Sequence, residues 1–195
     1  MVYTIGHSNH ALERFVDLLK RFELAEVVDV RSAPVSAYAP HFNKIVLQNE
    51  LPKRGVLYLF MGDELGGRPD GLEFYDSSGY VLYGKLSKSF SFNQGIDRLV
   101  SESERSRIAI MCSEEDPSTC HRHLLISRVL NERQVHVQHI RGDGSGMTYE
   151  QLVEEIRTSK PGLDQVDLFA SKEEDSWKST RSVLRENQRS HFLDY

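Results

Sequence analysis

Residues 107–122, R-I-A-I-M-C-S-E-E-D-P-S-T-C-H-R, constrain this chain more than any other stretch. Ile108-Ala109-Ile110-Met111-Cys112 is an unbroken apolar run of strand length. A run without polar alternation reads as a strand covered on both faces, as in a parallel sheet. It stops at Ser113-Glu114-Glu115-Asp116-Pro117, where a helix is expected to begin. Asp116 suits the N-cap, and Pro117 suits the first helical position, where its missing N–H goes unused. Cys120, His121 and Arg122 then fall in the first turn or just after it. A strand feeding a helix leaves a crevice at the strand's carboxyl end, where open α/β sheets bind ligands. The helix N-terminus adds positive potential there, favouring an anion or a thiolate.

The same alternation runs through the chain. Residues 1–5 form an apolar strand broken by Gly6-His7-Ser8-Asn9, with Ser8 or Asn9 placed to cap a helix. That helix carries the stripe Leu12, Phe15, Val16, Leu19 and Phe22. Residues 26–30 are the second strand, with Arg31-Ser32-Ala33-Pro34 at its carboxyl end. Phe42, Ile45, Val46 and Leu51 mark a helix closed by Pro52 and Gly55, and residues 56–60 are the third strand. Helical spacing resumes at Phe92, Ile96, Leu99 and Val100, and residues 135–140 are the fifth strand. Strands alternating with helices predict βαβ units and one mostly parallel sheet of about five strands, over residues 1–160. Thr148 and Gln151 form a capping box before a helix carrying Leu152, Val153 and Ile156.

Residues 161–195 read as a C-terminal extension. Residues 171–176 are a polar linker, and a short helix is expected beyond it, with Lys178, Arg181, Arg185 and Arg189 along one side. Gln165-Val166-Asp167-Leu168-Phe169 is similar to the pentapeptide with which bacterial DNA polymerases and repair proteins grip the sliding clamp. Gln165, Leu168 and Phe169 would make those contacts; the competing view packs Leu168 and Phe169 onto their own domain.

Between the third strand and the next helix, residues 61–91 hold six glycines, with Phe74, Tyr75, Tyr80 and Tyr83 among them. A long irregular segment inside a domain is usually functional or mobile. The net charge of −5 argues against broad non-specific nucleic-acid binding and leaves room for a local basic groove. Two cysteines, with no export signal and no membrane span, predict reduced thiols in a cytoplasm. Neither a G-x-G-x-x-G turn after a strand nor a P-loop is present.

The candidate site collects at one rim. His7 follows the first strand, Arg31 and Ser32 the second, and Cys112 and Glu114 the fourth, so three strands deliver polar groups to one sheet edge. Glu114 would act as acid/base or nucleophile and His7 as a second acid/base, with Arg31, Arg68 and Arg122 as phosphate grips. Gly66-Gly67 lets the backbone approach a ligand beside Arg68. Tyr75 would stack on a base, or else belong to the segment's own small core. Asp29, inside an apolar strand, needs a partner such as Arg31 or His7 unless it points at the pocket. Cys120 is either a nucleophile with a depressed pKa or a packing residue on the helix's inner face. The spacing of Cys112, Cys120, His121 and His123 matches no structural zinc pattern, so no metal site is expected. The ligand is expected to be an anionic small molecule or a nucleic acid. Three functions compete: an enzyme acting on a nucleotide or nucleic-acid base in DNA metabolism or repair, a non-catalytic binding module with the same pocket, and a thiol enzyme using Cys120.

Four ordered motifs carry a resemblance. T-I-G-H-S at Thr4 to Ser8, D-V-R-S-x-P-x-S at Asp29 to Ser36, L-G-G-R at Leu65 to Arg68, and M-C-S-E…C-H-R at Met111 to Arg122 resemble the DUF488 family, across roughly residues 1–157. The resemblance implies a Rossmann-like three-layer α/β domain. It implies no reaction, since that family has no settled activity.

Overall fold

A computed structural model describes residues 1–159 and 176–184. The Gln165 to Phe169 peptide, Arg185 and Arg189 lie outside the described residues.

Six strands build one sheet: β1 (Val2–Gly6), β2 (Glu26–Asp29), β3 (Leu57–Phe60), β4 (Ile108–Cys112), β5 (Val137–Ile140) and β6 (Gly146–Thr148). Their order is β3-β2-β4-β1-β5-β6. The first five are parallel, and β6 pairs antiparallel with β5. The sheet is thus one strand larger than expected. The reason is local: β6 is three residues long and follows a glycine-rich turn, too short to show a period-2 pattern. The central strands β1, β2 and β4 are buried along their whole length, as their apolar runs require. β3, at the edge, leaves Leu57 exposed.

Alternation along the strands divides the core in two. Ile108 and Ile110 join Val28, Val30, Phe92, Ile96 and Leu125 on one face. Ala109 and Met111 join Val27, Ile5, Phe15 and Leu19 on the other. Helices α1 (Leu12–Arg21) and α2 (Lys44–Glu50) contribute to the second face, and α5 (Phe90–Arg105) and α6 (Arg128–Glu132) to the first. This is the three-layer, Rossmann-like arrangement. The short α3 (Gly62–Leu65) and α4 (Tyr83–Leu86) lie in the glycine-rich segment, and α7 (Tyr149–Ser159) follows β6. At its start Thr148 N–H donates to Gln151 Oε1 at 2.8 Å and Gln151 N–H to Thr148 Oγ1 at 3.2 Å, the expected capping box.

Three local expectations change. α1 begins at Leu12 with Ala11 as N-cap and no side-chain cap; Ser8, at φ 45°, turns the chain instead. The helix expected from Pro117 is broken. Asp116 does cap a turn, its Oδ1 accepting from Ser118 N–H at 2.9 Å, but that turn is a 3₁₀ turn of three residues. Cys120 follows in extended conformation, and Arg122–Ser127 then winds as a π-helical stretch into α6. Widened turns of this kind concentrate at functional sites. Residues 176–184 form no helix. They lie as a strap across the domain: Ser179 N–H donates to Val81 O at 2.9 Å, and the Trp177 indole N–H to Leu124 O at 2.8 Å. Among the described residues no helix is long and apolar enough to cross a membrane.

Candidate functional site

The strand order sets β2, β4 and β1 side by side, and parallel pairing brings their carboxyl ends to one edge. Gly6 pairs with Cys112 and Asp29 with Met111, so the segments after these strands leave the sheet together. Gly6 is needed there: a Cβ would fall 2.0 Å from Glu114 O. That close approach holds the loop after β4 over the end of β1.

A pocket of about 280 Å³ opens at this edge. Arg31 and Ser32 from the end of β2, Arg68 from the glycine-rich segment, and Cys112, Glu114 and His121 from the β4 turn line it. Tyr83 and the strap residues Ser179, Thr180 and Arg181 complete the wall.

Behind the wall lies a buried ionic network. Asp29 is fully buried and Arg31 is 5% exposed. The Arg31 guanidinium grips Asp29 with two bonds, Nε to Oδ1 at 2.8 Å and Nη2 to Oδ2 at 2.6 Å. Nη2 also donates to Phe42 O at 2.8 Å, and Nη1 lies 3.0 Å from His7 Nε2. The Tyr58 hydroxyl donates to Asp29 Oδ2 at 2.6 Å. His7 Nδ1 sits 2.8 Å from Ser8 O, which can only accept, so Nδ1 carries the proton and Nε2 accepts from Arg31. His7 is therefore neutral. Burial first, and then the Arg31 charge, lower its pKa to about 4. Its ring stacks on Phe42 at 4.4 Å between centroids. Four of the five Arg31 N–H bonds are thus taken within the protein.

The pocket floor is of another kind. Cys112 Sγ donates to Glu114 Oε2 at 3.0 Å, and Cys120 Sγ lies 3.3 Å from the same oxygen. His121 Nδ1 is 3.6 Å from Cys112 Sγ and 3.8 Å from Cys120 Sγ. Its Nε2 donates to Val30 O at 3.1 Å, so the Nδ1 lone pair is turned to the sulfurs. Arg181 forms an ion pair with Glu114 Oε1 from the strap. Burial works to raise the Glu114 pKa, but hydrogen bonds with Cys112, with its own backbone and with Cys120 hold it at about 2. The thiols diverge. The bond to Cys120 and burial push Cys112 up. Cys120 is lowered, with the Cys112 bond, the Arg122 charge and His121 outweighing burial.

Not every residue expected at the site reaches the pocket wall. Arg31, Ser32, Arg68 and Glu114 do. His7 stands behind Arg31. Arg122 is fully buried; its Nη1 donates to Glu114 O and its Nη2 to Glu115 O at 2.7 Å. It pins the β4 turn rather than gripping a phosphate. Cys120 is 2% exposed and is not part of the wall. Tyr75 is packed in the core with its hydroxyl on Pro69 O at 2.7 Å, which leaves no face for stacking; Tyr83 lines the pocket instead. Arg68 is exposed, its backbone N–H donates to Ser32 Oγ at 2.9 Å, and its guanidinium has no partner among the described residues. Sequence reasoning missed the strap. Arg181 reads as one more basic residue of a polar tail, and no local signal says the tail returns to Glu114.

No curated protein matches the chain, and no solved structure matches it. A family described as "Domain of unknown function DUF488" matches residues 11–129, which cover helix α1, strands β2 to β4 and the whole β4 turn. With more than half its length inside that match, the chain belongs to the DUF488 family.

Proposed function

We propose that the protein binds an anionic small molecule of the nucleotide class in this pocket and acts on it with Glu114. The observation that carries the reading is a division of charge. The unpartnered Arg68 guanidinium and the exposed Arg181 stand at the wall, while Glu114, Cys112 and His121 form the floor. An anion can dock on the two arginines, exchanging part of the Arg181–Glu114 ion pair for its own contacts and freeing a carboxylate oxygen beside the ligand. A volume of about 280 Å³ is at the small end of ligand pockets, which favours a mononucleotide or smaller over a polymer. Tyr83, buried against Trp177, closes the inner wall of the pocket. Arg31 and His7 hold the wall rigid, and Arg122 holds the floor. The cytoplasm suits the two free thiols, which need a reducing compartment.

Calorimetric titration with nucleoside mono-, di- and triphosphates and with inorganic phosphate tests the reading. At least one nucleotide should bind more tightly than phosphate. Arg68→Ala should weaken it about tenfold, the loss of one charge-assisted contact. Glu114→Gln should retain binding and lose turnover of the bound nucleotide. A protein that binds no nucleotide would sink the proposal. Turnover that survives Glu114→Gln and is lost on alkylation of Cys120 would move the chemistry to the thiol.

A further inference from the structure

We propose that Cys112, Cys120 and His121 form a three-residue site for a zinc-like divalent ion at the pocket floor, with its fourth position beside Glu114. The donors are two sulfurs and one imidazole nitrogen, a set that borderline metals take and hard ions such as magnesium do not. Sγ of Cys112, Sγ of Cys120 and Nδ1 of His121 all lie within 4.8 Å of one another. Zinc bonds of about 2.0–2.3 Å place tetrahedral ligands roughly 3.3–3.8 Å apart. The sulfur–nitrogen separations are 3.6 Å and 3.8 Å, and Glu114 Oε2 lies 3.0 Å and 3.3 Å from the two sulfurs. The two sulfur–nitrogen separations already match that spacing.

The surroundings prepare each donor. The His121 Nε2–H···O=C bond to Val30 fixes the tautomer that offers Nδ1, the outer-shell arrangement typical of metal-bound histidine. The Arg122 backbone N–H points at Cys120 Sγ at 3.5 Å, and Arg181 neutralises the far oxygen of Glu114. Cys112 is 5% exposed and Cys120 2%, and both crowd against a carboxylate. A divalent cation relieves that concentration of negative donors.

Zinc patterns in sequence did not reveal the site because the two cysteines are separated by seven residues. The 3₁₀ turn and the extended Cys120 fold that spacing back, and the π-helical start turns His121 toward the sulfurs. His123 takes no part; its Nδ1 contacts His139 Nε2 at 3.2 Å in the core. The proposal does not rest on the nucleotide reading, and it is tested with metal alone.

The full chain, purified under reducing conditions without a metal-chelating tag, should carry one zinc per chain by elemental analysis. After removal of zinc by a chelator, stoichiometric Co²⁺ should produce intense tetrahedral visible bands and a thiolate-to-cobalt charge-transfer band. Cys112→Ser and Cys120→Ser should each roughly halve that band, and His121→Ala should lower Co²⁺ affinity about 100-fold. If a serine variant fails to fold by circular dichroism, alkylation of the unaltered chain substitutes: bound Zn²⁺ should protect both thiols. Protein isolated without zinc that gives no charge-transfer band on adding Co²⁺, bands unchanged in the folded serine variants, or thiols alkylated equally with and without Zn²⁺ would each overturn the site. So would a Cys112–Cys120 disulfide forming in place of metal uptake.

Discussion

Two polar clusters meet at the same edge of the sheet and are built on opposite principles. The Asp29–Arg31–His7–Tyr58 network is closed. Every oxygen of the carboxylate is taken, the guanidinium has one N–H to spare, and His7 uses both ring nitrogens. The cluster of Cys112, Glu114, Cys120 and His121 is open. Its donors face one another, one wall is the pocket, and Glu114 is shared with an arginine from a distant strap. A closed buried network holds a scaffold, because breaking it strands a charge. An open one invites an ion or a ligand to finish it. Charge content alone does not separate the two, since both hold carboxylates and histidine; what separates them is whether each polar atom already has a partner.

Substitutions can pull this contrast apart. The largest effect should come from Arg31→Met, which leaves Asp29 buried without its partner. We expect a loss of about 3–5 kcal/mol in urea unfolding. The double variant Asp29→Leu, Arg31→Met should regain much of it, because no orphaned charge remains. If the double variant is as unstable as the single one, the network is not the ion pair described here.

Acid should act on the closed network next. His7 is neutral in the fold with a pKa lowered to about 4, whereas an unfolded histidine takes up its proton near 6.5. The unfolded state therefore binds more protons between these values. The His7 contribution is complete above about pH 6.5 and is lost as pH falls toward 4, by about 3 kcal/mol. His139, buried against Thr4 and lowered to about 2 by burial and by neighbouring His123, adds a loss of the same sign that begins near pH 6.5 and continues toward pH 2. Unfolding curves at pH 7, 6 and 5 measure this directly, and His7→Gln should flatten the His7 share. Stability that stays level to pH 5 would contradict the tautomer assigned to His7.

The open cluster should respond in function rather than stability. Glu114→Gln keeps the shape and an oxygen to accept from the two thiols, and it removes an ion pair whose arginine is 65% exposed, so stability should fall by less than in Arg31→Met. Turnover should fall. A large drop in melting temperature would place Glu114 in the scaffold instead. Smallest in stability should be Arg68→Ala, within about 0.5 kcal/mol by thermal melt, since nothing in the fold leans on that guanidinium. Its effect should appear only in anion affinity.

Periodicity carried much of this protein. Largely apolar stretches placed β1, β2 and β4 where they are, because strands buried on both faces show no period-2 alternation with polar residues. The short polar segments after those strands were therefore legible as one rim. Asp29 within its strand already required a partner at hand, and Arg31 two residues on supplied it. Where the signal was local, as in the Thr148–Gln151 box, the structure repeats it atom for atom. Where three residues had to speak for a strand, as in β6, no pattern existed to read.

Other features depend on distance across the chain. That Arg122 points inward at two carbonyls while Glu114 points at the pocket is decided by the 3₁₀ and π-helical breaks, and these come from packing rather than propensity. The pairing of Arg181 with Glu114 joins residues 67 positions apart, and only the returning strap creates it. By itself, the sequence determined the α/β layering and the edge where chemistry belongs, because hydrophobic burial and chain alternation are written residue by residue. The tertiary structure alone decided which of the edge's polar groups were spent on one another and which were left facing the pocket, because a side chain's partners are set by where the fold brings them.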